Sequence, residues 1–244
     1  MITLEHSGGL AAAIVALGFA LLARALRAVS EGGALIGAGI AFLLMLASGL
    51  WAFLPIFAVL AMTMLATRWR AERKLRMGVA EHRGGRNATQ VLANLGAAGF
   101  CAIAAVVFPR HSATFMVGAI AVLAEAAADT VSSEAGQAIA SRPRMIVDFQ
   151  VAKPGTNGAV SLEGTFAGCV AASIAAWTAT LAGIVEWRWA PVIAVAGIAG
   201  MLLDSVLGAC LENRGKMGND SVNFVSTVFA ADSALIATLL LPRH

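Results

Sequence analysis

The chain has 244 residues, of which 59% are hydrophobic and only 13% are charged. Soluble domains average roughly 25% charged residues, so this composition excludes an ordinary soluble domain and indicates an integral membrane protein. The apolar segments are also too long for the short alternating strands of an outer-membrane barrel.

Apolar segments of about 20 residues, each long enough to cross a bilayer as a helix, follow one another along the chain. We predict spans at 8–28, 32–48, 50–67, 88–108, 112–139, 161–184, 189–211 and 220–241. The division of the second from the third span rests on Ser48-Gly49 and Pro55 as break points. We therefore predict an all-α, polytopic helical membrane protein with about eight transmembrane helices. Its single domain, 1–244, comprises N-terminal spans with a basic loop (1–82) and a motif-bearing core (83–230).

The positive charges of the loops predict an orientation. With eight spans, Arg110, Arg188 and Arg243 lie on one side, and the other fourteen of the 17 Lys and Arg residues lie on the opposite side. By the positive-inside rule, both termini lie outside and the motif-bearing loops face the cytoplasm. We expect a multi-pass protein of a bacterial inner membrane, with its short basic loop, Arg68 to Asn87, lying on the headgroups as an amphipathic turn.

Acidic residues within or beside the apolar segments are the first candidates for function, since a charge near the bilayer centre costs at least about 2.5–3.5 kcal/mol. Glu125, Asp129 and Ser133 recur every four residues and so share one helix face. Asp204 lies in an apolar segment, and Asp220 begins the last span. Three aspartates near one membrane face repel one another unless a cation lies between them, and oxygen ligands of this kind suit Mg²⁺.

A second polar stripe, Arg86, Gln90 and Asn94, enters the fourth span with the same spacing. Hydrogen bonding between helices, worth about 0.6 kcal/mol, explains Gln90 and Asn94 as well as ligand binding does. Asn223 lies on the same helix face as Asp220 and Thr227.

The segment KPGTNGAVSLEGTFAG, Lys153 to Gly168, combines a lysine with a glycine-rich turn. Glycines tolerate positive φ, and successive N–H groups in such a turn form an anion-binding nest. The Lys153 charge and the dipole of the following helix favour the same ligand. The alternative is an ordinary loop in which Thr156 or Ser161 caps that helix. The role of Glu163 stays open: it could assist a metal, contact a ribose or stabilise the start of the helix.

Five motifs occur in a fixed order: RNATQVLANLG (Arg86–Gly96), ADTVSSEAG (Ala128–Gly136), KPGTNGAVSLEGTFAG (Lys153–Gly168), LLDSVLGA (Leu202–Ala209) and NDSVNFVST (Asn219–Thr227). As a set they resemble the integral-membrane family that contains the plant phytyl-phosphate kinase of tocopherol synthesis. They are more distantly similar to dolichol kinase, phytol kinase and phosphatidate cytidylyltransferase.

The resemblance implies a Mg²⁺-dependent kinase that uses a nucleoside triphosphate, with CTP favoured, to convert a prenyl monophosphate into the diphosphate. It implies these catalytic residues: Asp129, Lys153, Asp204 and Asp220. It implies these Mg²⁺ ligands: Asp129, Glu134, Asp204 and Asp220. Phosphate binding would fall to Lys153, Thr156, Asn157 and Gly158, and contact with the acceptor or nucleotide phosphate to Arg83, Arg86, Gln90 and Asn94. Asn223 would support the metal cluster.

A membrane transporter is the alternative function, because intramembrane acids near glycine-rich breaks also mark ion-coupled carriers. Carriers place such acids near the midplane, in two related halves. Here the acids gather towards one face, and the first 80 residues have no intramembrane acid. We therefore expect a membrane lipid and a nucleotide as partners, and no nucleic acid.

Overall fold

The computed structural model describes residues 2–79, 84–140 and 142–241. These residues form nine α-helices: α1 Ile2–Ala25, α2 Glu31–Ser48, α3 Phe53–Arg68, α4 Ala71–Met77, α5 Ala88–Val107, α6 Ser112–Ile139, α7 Leu162–Leu181, α8 Ala190–Leu207 and α9 Asn219–Leu240. Two short antiparallel strands, β1 Arg144–Met145 and β2 Ala159–Val160, connect α6 to α7. All of these helices except α4 are long and apolar enough to cross a membrane, which confirms the all-α polytopic prediction.

Two separate helices occupy the stretch 32–67, as the break points predicted. α2 ends at Gly49, whose φ of 90° is a conformation that residues with a side chain rarely adopt. One 3₁₀ turn then leads into α3. Pro55 lies in the first turn of α3, where its missing N–H removes no intrahelical hydrogen bond.

α6 is the central helix of the bundle. Every residue from Met116 to Ala128 is buried, because α3, α5, α7, α8 and α9 pack around it. Many of these residues are alanines, whose small side chains let neighbouring helices approach closely. The polar residues at the C-terminal end of α6 are therefore held in fixed positions relative to the helices that surround them.

Two glycines of α7 bring that helix close to α6. A Cβ on Gly164 would lie 2.6 Å from the Ser132 carbonyl oxygen, and one on Gly168 would lie 2.9 Å from the Ala128 carbonyl oxygen. Glycines four residues apart are typical of closely packed membrane helices. The second half of the KPGTNGAVSLEGTFAG motif thus packs two helices together, while its first half remains available for a site.

The outer surface of the bundle is apolar. Large side chains that are each at least 68% exposed include Leu35, Leu65, Phe100, Leu181 and Leu239. Such a surface is suited to lipid, where exposed leucine and phenylalanine side chains meet acyl chains rather than water.

Candidate active site

Two adjoining cavities lie at the end of the bundle where α6 terminates. One, of about 120 Å³, lies between the loop 154–161, α6 and α8. The other, of about 290 Å³, lies between α5, α6 and α9. Both are lined by Asp129, Ser133, Gln137, Asn157 and Asn219. We refer to the two cavities together as the polar cleft.

α6 contributes three residues to the polar cleft on successive turns, namely Asp129, Ser133 and Gln137. Their spacing of four residues places them on one helix face. Thr130, beside Asp129, accepts a hydrogen bond at 3.2 Å from the Arg86 guanidinium. Of the three residues predicted to share this helix face, Asp129 and Ser133 line the cleft, whereas Glu125 is buried and does not line it.

α8 contributes Asp204 to the same cavity as Asp129. Four residues after Asp204, where α8 ends, the chain continues as a π-turn at Gly208–Glu212. Such turns are frequent at functional sites. This one places Glu212 on the lining of the cleft. Glu212 was not among the residues predicted from the sequence, because a π-turn leaves no simple periodic signal.

The loop 154–158 is fixed against the end of α8. Gly158 has a φ of 76°, and a Cβ on it would lie 2.5 Å from the Cβ of Ala209. The Asn213 side chain donates a hydrogen bond to the Asn157 carbonyl at 2.9 Å. The backbone of the loop therefore has one fixed position along the wall of the polar cleft.

The anion-binding nest predicted for this loop is partly used by the loop itself. The Thr156 N–H donates to the Lys153 carbonyl at 3.2 Å. Pro154 has no N–H to offer. Within the turn, at most three N–H groups are left for an anion, those of Gly155, Asn157 and Gly158. The residues Thr156 and Asn157 also line the cleft.

Arg86 is held in place by the turn that joins α1 to α2. Its N–H donates to the Ala28 carbonyl at 3.0 Å, and its carbonyl accepts from the Ser30 N–H at 2.9 Å. Gly85 makes this contact possible, because a Cβ there would lie 2.7 Å from the backbone of the same turn. Anchored in this way, Arg86 lines the polar cleft from the start of α5.

The amide side chains near Arg86 form hydrogen bonds at the start of α5 and also line the polar cleft. Gln90 completes a capping box with Asn87, whose backbone N–H donates to Gln90 Oε1 at 2.9 Å. Asn94 Nδ2 donates to the Gln90 carbonyl at 2.8 Å. Gln90 and Asn94 nevertheless line the polar cleft, as does Asn223 from α9. These hydrogen bonds lie within α5 and its N-cap rather than between helices, and ligand binding by Gln90 and Asn94 stays a prediction.

A buried hydroxyl connects the cleft to a deeper acid. The Ser226 hydroxyl lies 2.7 Å from Glu125 Oε1, 3.4 Å from Asp204 Oδ2 and 3.0 Å from the Asn223 carbonyl. Its single proton can serve only one of these acceptors at a time. Glu125 is 1% exposed, and within the described part of the chain its Oε2 has no hydrogen-bond partner. Ser226 was not among the residues predicted from the sequence, although its spacing of three from Asn223 was an available signal.

Glu134, predicted as a Mg²⁺ ligand, lines the second cavity of the polar cleft but is paired with a lysine. Lys74 Nζ lies 2.5 Å from Glu134 Oε2, and it also donates to the Ala66 and Thr67 carbonyls at 2.9 and 2.7 Å. These bonds use all three donors of the ammonium group. The basic loop therefore does not simply lie on the headgroups, because α4 inserts Lys74 between α3 and α6.

Four predicted residues lie away from the cleft lining or outside the described chain. Lys153 and Glu163 are exposed, and neither is among the residues that line the polar cleft. Asp220 is half-buried in the first turn of α9, next to Asn219, which does line the cleft. Arg83 falls outside the described residues.

The carboxylates of the cleft fit a magnesium ion whose remaining ligands would come from water and from substrate phosphates. Among residues 2–79, 84–140 and 142–241, no three His, Cys, Asp or Glu side chains form a group that could hold a metal. Asp129 and Asp204 still line one cavity. Mg²⁺ is usually bound by one or two carboxylates, several waters and substrate phosphates, so two aspartates on an open cleft are sufficient protein ligands.

Comparisons with known proteins identify relatives. The sequence model of a family described as "Integral membrane protein DUF92" matches residues 14–231. The chain is 30% identical to Protein VTE6, chloroplastic, of Arabidopsis thaliana over 191 residues, which are 75% of this chain and 57% of that protein. It is 35% identical to an uncharacterized membrane protein of Methanocaldococcus jannaschii over 116 residues, 46% of this chain and 47% of that protein. The matches thus span about half the length of these two relatives. No solved structure matches the chain.

Proposed function

The chain belongs to the integral membrane protein family DUF92, and from this premise we propose that it phosphorylates a prenyl monophosphate to the diphosphate. The phosphoryl donor is a nucleoside triphosphate, with CTP favoured. Support for the reaction comes from the motifs that resemble those of the phytyl-phosphate kinase family. Support for the chemistry comes from the polar cleft.

One observation carries the proposal. Asp129 and Asp204 line one cavity together with the loop 154–158, and Arg86 adjoins Asp129 in the second cavity. Phosphoryl transfer needs little covalent chemistry from a protein, because positioning and neutralisation of charge do most of the work. Two carboxylates, a guanidinium and a glycine-rich loop on one cleft are the groups that this reaction requires.

Asp129 and Asp204 would hold Mg²⁺, which supplies charge neutralisation on the phosphate groups when bound. Glu134 is set aside from this role by its ion pair with Lys74. Asp220 adjoins the cleft through Asn219 and remains a candidate for an outer ligand. The loop residues Thr156, Asn157 and Gly158, with Lys153 at the start of the turn, would contact the nucleotide phosphates.

Arg86 would bind the phosphate of the acceptor, because a guanidinium can bond two phosphate oxygens at once. A phosphate monoester is already ionised at neutral pH, so the cleft needs no strong general base. An acceptor oxygen attacks the γ-phosphorus, and a new P–O bond forms. The bond from the γ-phosphorus to the bridging oxygen breaks, and the nucleoside diphosphate leaves with that electron pair.

The charge distribution supports a cytoplasmic site. The positively charged loops are those that join the helices at the cleft end of the bundle, including the segment that contains Arg68, Arg70 and Arg73. By the positive-inside rule this end faces the cytoplasm, where nucleotides are available. The acceptor lipid would stay in the membrane and present only its phosphate at the interface.

A reconstitution assay tests the proposal. The purified protein in liposomes receives Mg²⁺, a panel of nucleoside triphosphates and a panel of prenyl monophosphates, and diphosphates are measured by mass spectrometry. We expect product with the native chain and with Asp148→Asn, which changes an exposed loop acid away from the cleft. Absence of product across the panel, together with substrate-dependent flux across the liposome membrane, would instead indicate a carrier.

A further inference from the structure

Arg86 also borders two mainly apolar cavities that the transfer reaction does not use, the second of which is lined by Arg27 and Arg68 as well. The first lies between α1, α2, α3, α5 and α6, and its lining includes Phe19, Gly37, Ile56, Leu60, Val91 and Leu123. The second lies beside it and shares four lining residues with it, Val29, Leu60, Thr63 and Arg86. We refer to the two together as the apolar groove.

The apolar groove meets the polar cleft at Arg86 and Asn94, which line both. Along α6, Leu123 in the groove lies six residues before Asp129 in the cleft, or about 9 Å at the rise of an α-helix. The first cavity of the groove therefore extends from the level of the acids towards the interior of the membrane, whereas the second lies beside the α1–α2 turn and α4. A molecule bound at Arg86 therefore has the polar cleft on one side and an apolar space on the other.

We propose that the apolar groove holds the hydrocarbon chain of the acceptor lipid, an inference that rests on the proposed function. An amphiphile with one phosphate and one apolar chain satisfies both ends of the junction. The guanidinium of Arg86 suits the phosphate, and the alkyl and aromatic walls suit the chain. Neither a nucleotide nor a second copy of the protein combines an anion with an apolar chain of this form.

The groove contributes to positioning more than to affinity. Lipid tails are as apolar as leucine, so moving a chain from the bilayer into the groove gains little hydrophobic free energy. Contacts along the groove instead limit where the attached phosphate can lie. Displacing a reacting group by about 1 Å can slow a reaction on the order of 100-fold. The shape of the groove therefore determines which chains bring their phosphate to Arg86 in a reactive position.

Two glycines of α2 provide a matched pair of test positions. A Cβ on Gly37 would have only Val91 Cγ1 nearby, at 4.0 Å, so a side chain there enters the groove without a backbone clash. Gly39 is exposed on the outer surface, with no atom within 4 Å of its Cβ position. A phenylalanine at either site changes the same helix, but only the one at position 37 fills the groove.

Kinetics with prenyl monophosphates of increasing length form the first test. We expect Gly37→Phe to lower kcat/KM for geranylgeranyl monophosphate by about 100-fold, with a smaller loss for geranyl monophosphate. Gly39→Phe should remain within about twofold of the native chain for both, as for most surface changes. Equal losses for both chain lengths, or equal effects of the two variants, would overturn the assignment. Elution in size-exclusion chromatography checks that both variants fold.

Photolabelling tests the groove without requiring turnover. The probe is geranylgeranyl monophosphate with a diazirine at the end of its chain, and labelled peptides are mapped by mass spectrometry. We expect label on groove residues such as Ile56 or Leu60, removed by excess unlabelled geranylgeranyl monophosphate. Absence of label, or label on outward residues such as Leu35 and Leu65 that the competitor does not remove, would overturn the inference.

The two proposals can fail separately. Competed label in the groove without diphosphate formation would support the groove and contradict the kinase. Diphosphate formation with label confined to outward residues would support the kinase and contradict the groove. In both cases the same protein preparation and the same probe are used, so that the two results can be compared directly.

Discussion

Two acids of α6, five residues apart, both line the polar cleft but differ in the charges beside them. Glu134 is enclosed with Lys74, whose side chain is 1% exposed and whose three donors are all in use. Asp129 lines both cavities of the polar cleft, and it shares the first of them with Asp204 from α8. An acid with its cation built into the fold is already neutralised, whereas two acids on one cleft repel each other until a cation binds. We therefore expect a structural role for Glu134 and a ligand-binding role for Asp129, on one helix.

The largest expected effect tests the cleft side of this comparison. Asp129→Asn and Asp204→Asn each remove a carboxylate charge while keeping the size of the side chain. We expect each variant to lower diphosphate formation at saturating Mg²⁺ by at least about 1000-fold, the scale of losing a main electrostatic contact in an active site. Thermal unfolding should change little, because relief of the repulsion compensates for the lost contacts. Activity above a tenth of the native rate would remove that acid from the site.

The next effect tests the enclosed side. Lys74→Met leaves Glu134 buried without its cation, and we expect the free energy of unfolding to fall by about 3 kcal/mol, as for other broken buried ion pairs. The double variant Lys74→Met with Glu134→Gln should recover much of that loss, since no charge is then stranded. Chemical denaturation in detergent measures both. A double variant less stable than the single variant would contradict the structural role of the pair.

A smaller effect is expected at the wall of the cleft. Gly158→Ala places a methyl group 2.5 Å from Ala209 at a φ of 76°, so we expect a loss of about 2 kcal/mol in stability and roughly tenfold in activity. Gly183→Ala is a matched control, because its φ is 71° and no atom lies within 4 Å of its Cβ position. The control should lose stability from strain alone and keep its activity. Equal activity losses would mean that the loop is not part of the site.

The smallest effect is expected at Glu163. It is exposed in the first turn of α7 and outside the lining of the cleft, so the helix-start explanation fits its position best. We expect Glu163→Gln to change kcat/KM by less than about twofold, as most surface substitutions do. Initial rates over a range of nucleotide concentrations measure this. A tenfold rise in the KM for the nucleotide would restore Glu163 as a ribose contact.

The fold was largely predictable because membrane helices follow from length and apolar composition. The predicted fifth span, 112–139, coincides with α6, and the break between α2 and α3 lies at the predicted glycine. Periodicity also identified the faces that line the cleft. Asp129, Asp204 and the loop 154–158 were each singled out by an unusual residue in an apolar setting, and the structure places them around one cavity.

The missed features depend on contacts between distant parts of the chain. Lys74 resembles a solvated loop charge until Glu134, 60 residues later, is brought to it by packing. Ser226 lies within the motif NDSVNFVST but carries no charge, and its contact with Glu125 spans 101 residues. The anchoring of Arg86 by the α1–α2 turn likewise joins segments that local periodicity treats as independent. Local patterns report helix faces, but only packing determines which faces meet.

The most direct test of the central claim follows one phosphorus atom. Protein in liposomes receives Mg²⁺, a prenyl monophosphate and CTP radiolabelled at the γ-phosphate, and the lipid products are separated by chromatography. We expect the label to appear in prenyl diphosphate with the native chain and with Asp148→Asn, and to be lost with Asp204→Asn. Label that remains in nucleotide or inorganic phosphate for every acceptor tested, or equal labelling by Asp204→Asn, would contradict phosphoryl transfer at the polar cleft.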